Sequence, residues 1–307
     1  MPKGLVTKTT GSWYYVLNDN KLISCKLKGN FRLKGIKSST PVTVGDNVEF
    51  EFSDSKDIGV ITTIEPRKNY IIRKATRFHH ESHLIAANID QAFLMISLKS
   101  PATPFEFIDR FLLAAEMFFI PVKILINKVD LVEQAVVEEF IKEYKLAGYE
   151  CITMSITENQ GIDKVYDLMR NKLTLISGNS GVGKSSLIKA INPDIEIKID
   201  EISDYHQSGK HTTTFSEIFQ VTDDCMIIDT PGIKSFGLID IEKNEIGVYF
   251  KDIFHASKAC KFYNCTHLHE PGCAVIEAVK KDKISMSRYR SYVNIYTDGG
   301  DKHRQAF

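Results

Sequence analysis

Apolar and polar positions along this chain follow two rhythms, and the rhythm changes near residue 85. Before that point, short β-branched or aromatic runs at 6–9, 13–16, 22–25, 48–52 and 60–64 are cut by turn residues such as Asn18-Asp19-Asn20 and Gly45-Asp46. Five short strands predict a small β-barrel of the OB or SH3-like kind. After it, continuous apolar runs alternate with amphipathic stretches. Residues 92–98, 122–126, 149–155, 173–176 and 226–229 read as buried strands, and 105–118, 132–147 and 162–171 as helices. That alternation predicts a doubly wound α/β domain with ligands at the carboxyl ends of its strands. A long polar loop separates the helical run that ends near Ala190 from the strand at 226–229. Helical patterns at 274–283 and 287–296 follow, with Lys280, Lys281, Lys283, Arg288 and Arg290 assigned to exposed faces. Glu65-Pro66-Arg67-Lys68 begins a basic connector reaching about His83, which includes Arg73, Lys74 and Arg77. Its histidines, His79, His80 and His83, have no Cys or acidic partner at ligand spacing and read as part of a solvated loop.

The most informative stretch joins the strand at 173–176 to the helical run that follows. Gly178, Asn179, Ser180, Gly181, Val182, Gly183, Lys184 and Ser185 have the G-x-x-x-x-G-K-S spacing of a phosphate loop, and Ser186 continues into the helix. Glycines let backbone N–H groups converge on phosphate oxygens, and the helix start adds unpaired N–H groups and a positive dipole end. Lys184 is expected at the β/γ-phosphates, and the Ser185 hydroxyl on Mg²⁺.

Three further signals stand where such a fold holds its ligand. Asp229-Thr230-Pro231-Gly232 follows a strand, 45 residues after Lys184; its Asp would orient Mg²⁺ through water and its Gly N–H would meet the γ-phosphate. Asn127-Lys128-Val129-Asp130 also follows a strand. Asp130 can accept both donors of the guanine N1/N2 edge, a pair adenine lacks. Lys128 would lie over the base, Asn127 would tie this loop to the phosphate loop, and Ser155 would bring backbone N–H near the guanine carbonyl. In His211-Thr212-Thr213-Thr214, Thr213 is expected to complete Mg²⁺ coordination, with Thr212 as the alternative. Most guanine-nucleotide switches place the phosphate loop first. Here Asn127 precedes Gly178 by 51 residues, so the domain reads as circularly permuted. The chain after Gly232 is then coupled to the γ-phosphate sensor.

Cysteine spacing adds a metal site. Cys260, Cys265, His267 and Cys273 form C-x4-C-x-H-x5-C, which suits one closed, structural Zn²⁺; His269 is the alternative nitrogen ligand. All six cysteines are better explained by metal and free thiols than by disulfides in a cytoplasmic protein. The N-terminus lacks a signal-peptide layout, and no apolar run reaches the roughly 18 residues of a membrane span. Formal net charge is zero but uneven: residues 1–83 carry 14 Lys/Arg against 8 Asp/Glu, residues 84–250 carry 15 against 25, and residues 251–307 carry 10 against 6. Two basic flanks favour a polyanionic partner.

Taken together, the barrel, Ala87-Asn88-Ile89-Asp90, Asn127–Asp130, the phosphate loop, the His211–Thr214 run, Asp229–Gly232 and the Cys/His knuckle resemble the ribosome small-subunit-dependent GTPase A family of circularly permuted GTPases. The resemblance covers nearly the whole chain. It implies an OB-fold barrel (1–68), a basic linker (69–84), a permuted GTPase domain (85–243) and a mainly helical zinc-binding domain (244–307). It also implies GTP hydrolysis to GDP and phosphate, with rRNA contacts to the small ribosomal subunit and a role in its late maturation. Hydrolysis would be stimulated by the subunit and coupled to release, in a cytoplasmic monomer without a membrane partner. One departure is Lys210, where family members more often carry Arg. Ile233 stands where many switches place a water-orienting Gln, so His211 is the candidate to position water, beside Lys184, Thr213 and Asp229 in catalysis. The competing expectation is an RNA-binding module whose nucleotide only controls docking.

Overall fold

The computed structural model describes residues 1–28, 41–53, 57–74, 82–195, 216–229 and 241–298. Contacts divide the chain into two compact units, one of residues 1–91, 166–176 and 188–233, the other of 92–165, 177–187 and 234–307.

The first unit opens with the barrel. Strands β1 (Lys3–Thr9), β2 (Tyr14–Asn18), β3 (Lys21–Leu27), β4 (Asn47–Phe52) and β5 (Gly59–Ile64) run in the order β1-β2-β3-β5-β4, and a β1–β4 pairing closes them. All neighbours are antiparallel except β3 and β5. Val6, Val16, Cys25, Val48, Phe50 and Ile61 fill the interior, as strand alternation requires. The connector is more ordered than its polarity implies. Its ends form a hairpin, β6 (Tyr70–Lys74) against β7 (Ser82–Ala87), while Arg77, His79 and His80 lie outside the described residues. Two of its cations are also committed. Arg67 grips the buried Asp46 carboxylate with two bonds of 2.6 and 2.7 Å, and Lys68 pairs with Asp90.

The supposed polar loop contains a strand, β12 (Glu217–Thr222), with Ile218 and Val221 buried. It runs antiparallel to β13 (Cys225–Asp229), which lies parallel to β11 (Lys172–Ser177). On its other side β12 meets barrel strand β1 at Lys8↔Glu217, where the two side chains pair at 2.9 Å. The barrel therefore contacts the strand that neighbours the one ending on Asp229.

The second unit contains three parallel strands, β8 (Gln91–Ser97), β9 (Val122–Asn127) and β10 (Glu150–Thr153), in the order β10-β9-β8. Helices α1 (Phe105–Met117) and α2 (Gln134–Leu146) connect them; α3 (Ile162–Met169) and α4 (Lys184–Ile191) follow β10 and β11. The C-terminal part is helical: α5 (Ile246–Tyr249), α6 (Lys251–Ser257), α7 (Ala274–Lys280) and α8 (Met286–Asp298). Their core gathers Phe250, Ile253, Val275, Tyr292 and Ile295 and receives Leu113 from α1.

One expectation fails here. Arg288 is not exposed: it is 1% accessible. Its position explains why. Arg288, Ser291, Tyr292 and Ile295 are all buried, at the i, i+3, i+4, i+7 spacing of a helix's inward stripe. The guanidinium bonds Asp109 of α1 at 2.5 Å and Asp252 of α6 at 2.8 Å. Burial alone would lower its pKa, but the charges of Asp109 and Asp252 outweigh that and raise it well above the usual value. The rings of Phe250, Tyr144 and Tyr149 lie 4.9–5.8 Å from it. Arg288 thus links the last helix to α1 and α6. Among the other four cations, Lys280, Lys281, Lys283 and Arg290 are exposed as expected.

Candidate nucleotide and metal sites

The phosphate loop is shaped by what its neighbours leave room for. At Gly178 (φ +152°) a Cβ would stand 2.2 Å from the Met95 carbonyl oxygen, and at Gly183 (φ +105°) 2.6 Å from Asn127 Nδ2. Both positions therefore need glycine. Lys184, at the start of α4, is 6% accessible, and its Nζ donates to the loop's own carbonyls, Gly178 at 2.8 Å and Asn179 at 2.9 Å. Both of these acceptors are neutral and lie within the loop itself. Val182 is buried, Gly183 and Ser185 are partly buried, and Gly181 and Ser186 are exposed.

The Asn127 loop is bound to this one. Asn127 Nδ2 donates to the Val182 carbonyl at 2.8 Å, and its Oδ1 accepts from Ile156 N–H at 3.3 Å. Lys128 takes a left-handed conformation (φ 63°). Its Nζ bridges Gly181 O at 2.8 Å and Ser100 O at 2.5 Å. Asp130 lies in the short turn Val129–Leu131 with an exposed carboxylate. Ser155 is buried, donates its N–H to Gln160 O at 3.0 Å and accepts at Oγ from Glu158 N–H at 3.2 Å. Its role in the structure is to fold the 155–160 turn. Three loops thus converge through backbone carbonyls: 178–184, 127–131 and the one holding Ser100, whose ring neighbour Pro101 faces Gly181. The Ser100 loop went unnoticed in the sequence, where nothing but its place after a buried strand marks it. β13 ends on Asp229. His211, Thr212, Thr213 and Gly232 lie outside the described residues.

The four knuckle residues meet. Donor atoms of Cys260, Cys265, His267 and Cys273 all lie within 4.8 Å of one another, and His269 is exposed outside the group. A tetrahedron with metal–sulfur bonds of about 2.3 Å has edges of roughly 3.8 Å; Cys260 and Cys273 Sγ lie 3.9 Å apart. His267 Nδ1 lies 3.6 Å from Cys260 Sγ and 3.4 Å from Cys273 Sγ. Burial pushes the Cys265 thiol up to about 12, raises Cys273 and lowers His267. Thiolates this clustered need a cation, so the donor set fits a closed Zn²⁺ site. Around it, Glu270 gathers Thr266 N–H (2.7 Å) and Leu268 N–H (3.1 Å), while Tyr289 and Tyr292 hydroxyls donate to the His267 and Thr266 carbonyls at 2.7 and 2.8 Å.

Comparison with known proteins decides the family. The RsgA GTPase family model matches residues 64–239, and the RsgA N-terminal domain model matches 3–61. The chain belongs to the RsgA GTPase family. A protein of Phocaeicola vulgatus named Small ribosomal subunit biogenesis GTPase RsgA is 51% identical over 99% of this chain and 100% of its own. One of the same name from Flavobacterium psychrophilum is 45% identical over 98% and 94%. Crystallised YjeQ from Thermotoga maritima aligns with TM-score 0.77 at 31% identity, covering 97% of this chain and 98% of its own. YloQ, described as a circularly permuted GTPase, aligns at 0.74 and 32%, covering 97% and 94%. As an RsgA GTPase, the chain is a GTP hydrolase with a permuted GTPase domain behind an OB-fold barrel.

Proposed function

We propose that this GTP-hydrolysing chain acts on the small ribosomal subunit, binding it through rRNA late in its maturation and leaving it when GTP is hydrolysed. The observation that carries the nucleotide half is the Asn127–Val182 bond. It joins the guanine-reading loop to the phosphate loop even though the chain reaches them in permuted order. The ribosomal half is supported by the names of relatives that match over nearly full length and by the basic flanks.

In this reading Lys184 leaves the Gly178 and Asn179 carbonyls for the β/γ-phosphates, and loop N–H groups from Asn179 to Ser186 surround them. Asp130 takes the guanine N1/N2 edge, with Lys128 over the base, Asn127 holding the loops together and Ser155 shaping the turn by the guanine carbonyl. Ser185 and Thr213 would hold Mg²⁺, which would screen phosphate charge, with Asp229 as its further partner and the Gly232 N–H for the γ-phosphate. His211 positions the attacking water, so His211→Ala should lose stimulated turnover and keep GTP affinity; unchanged turnover would exclude that role. One Zn²⁺ on Cys260, Cys265, His267 and Cys273 staples the C-terminal fold. Domain limits at 68, 84 and 243, a cytoplasmic location and a monomeric state complete the reading; no described helix is long and apolar enough to cross a membrane.

Sedimentation with purified small subunits tests it. Binding should be strong with a non-hydrolysable GTP analogue and weak with GDP. Equal sedimentation in both states, or none in either, would overturn the proposal.

A further inference from the structure

The metal knuckle holds out an aromatic side chain that no part of the nucleotide machinery uses. Tyr263 lies in the loop between ligands Cys260 and Cys265, and its accessibility is 108% of the reference value. A ring this exposed has lost none of its contact with water. An unpartnered aromatic at the tip of a stapled loop is poorly explained by packing.

Its surroundings point to a partner. Phe262, its neighbour in sequence, and Phe254, nine residues earlier, are also exposed. Each carries a lysine over its ring: Lys261 Nζ at 5.6 Å from Phe262 and Lys258 Nζ at 4.9 Å from Phe254. Neither lysine is ion-paired among the described residues. The sequence from Ile253 to His269 contains both lysines and no Asp or Glu. The lysines are thus held over rings, with their charge available.

The geometry points to a stacking site for an unpaired RNA base: Tyr263 supplies the π-face, and Lys258 and Lys261 meet the flanking phosphates. This inference rests on the proposed ribosomal function and names a chemistry for one contact within it. Single-stranded RNA recognition combines an aromatic platform with cations tracking the backbone. A protein partner would instead favour a concave apolar patch into which its own anchors fit; here the exposed aromatic stands in a segment whose sequence has no carboxylate. Zinc ligands at both ends of the loop would reduce the ordering cost of presenting the ring.

The test uses the full chain, purified small subunits and a non-hydrolysable GTP analogue, at two salt concentrations. Tyr263→Ala should weaken subunit binding about 5- to 150-fold, the range for loss of one base–aromatic stack. Tyr263→Phe should retain wild-type affinity, and Tyr263→Leu should behave like Tyr263→Ala. Lys258→Ala and Lys261→Ala should each lower the slope of log affinity against log salt by about 1. Zinc content and melting temperature establish that each variant is folded. Wild-type affinity in Tyr263→Ala would overturn the proposal, and wild-type affinity in Tyr263→Leu would assign the contact to an apolar protein pocket and overturn it equally. Failure of the wild-type chain to bind subunits would instead refute the ribosomal reading itself.

Discussion

Lys184 and Arg288 are both buried cations of the second unit, and their partners differ in kind. Lys184 is held by two neutral carbonyls, whereas Arg288 is held by two carboxylates. Those carbonyls carry no formal charge, so charged phosphate oxygens can compete with them for the ammonium group. Carboxylates neutralise the arginine, and removing any member leaves a buried charge without a partner. Under the proposed function the first arrangement is poised for a ligand; the second fixes helices in place. Lys128 belongs with Lys184, since Gly181 and Ser100 carbonyls hold it.

The largest effect should separate the two sites. Arg288→Ala should cost about 3–5 kcal/mol of stability, because Asp109 and Asp252 are left buried, and a fall in the urea midpoint would measure it. Lys184→Ala should move that midpoint little and abolish tight GTP binding. A stable Arg288→Ala, or a Lys184→Ala that unfolds, would break the comparison. Asn127→Ala should have a middle effect. It removes the carbonyl anchor of the phosphate loop, worth about 1–3 kcal/mol as a buried bond, so GTP affinity should drop about tenfold in equilibrium titration, with the melting temperature less changed.

The smallest effect concerns a carboxylate between these extremes. Asp224 accepts from Arg170 (2.6 Å), Thr222 (2.9 Å) and Tyr166 (2.9 Å), and those bonds hold its pKa down to about 2. The ordinary value is about 3.9. A depressed carboxylate contributes stability that is complete above its unfolded pKa and is lost as pH falls through the folded one. Asp224→Asn should therefore be less stable than wild type at neutral pH, and the difference should shrink between about pH 4 and pH 2. A difference that is constant with pH would show that the bonds do not depend on the charge.

These contrasts also mark what was readable in the chain. Phosphate-loop and Cys/His spacings are local, so Gly178–Ser185 and Cys260–Cys273 announced themselves. Arg288 was misread because its partners are 179 and 36 residues away. A signal was nonetheless present: Asp109 occupies an inward position of α1, where an acid needs a cation, and Arg288 leads an inward stripe of α8. β12 was hidden among polar neighbours because its pairing with β1 is made 209 residues away. The hairpin of the connector was masked by its charge, part of which is spent on Asp46 and Asp90.

Phosphate release from GTP, measured for wild type and Lys184→Ala with and without purified small subunits, tests the account most directly. Wild-type turnover should rise when subunits are added, while Lys184→Ala stays near background in both conditions. Wild-type turnover that ignores the subunits, or a Lys184→Ala variant that matches wild type, would contradict it.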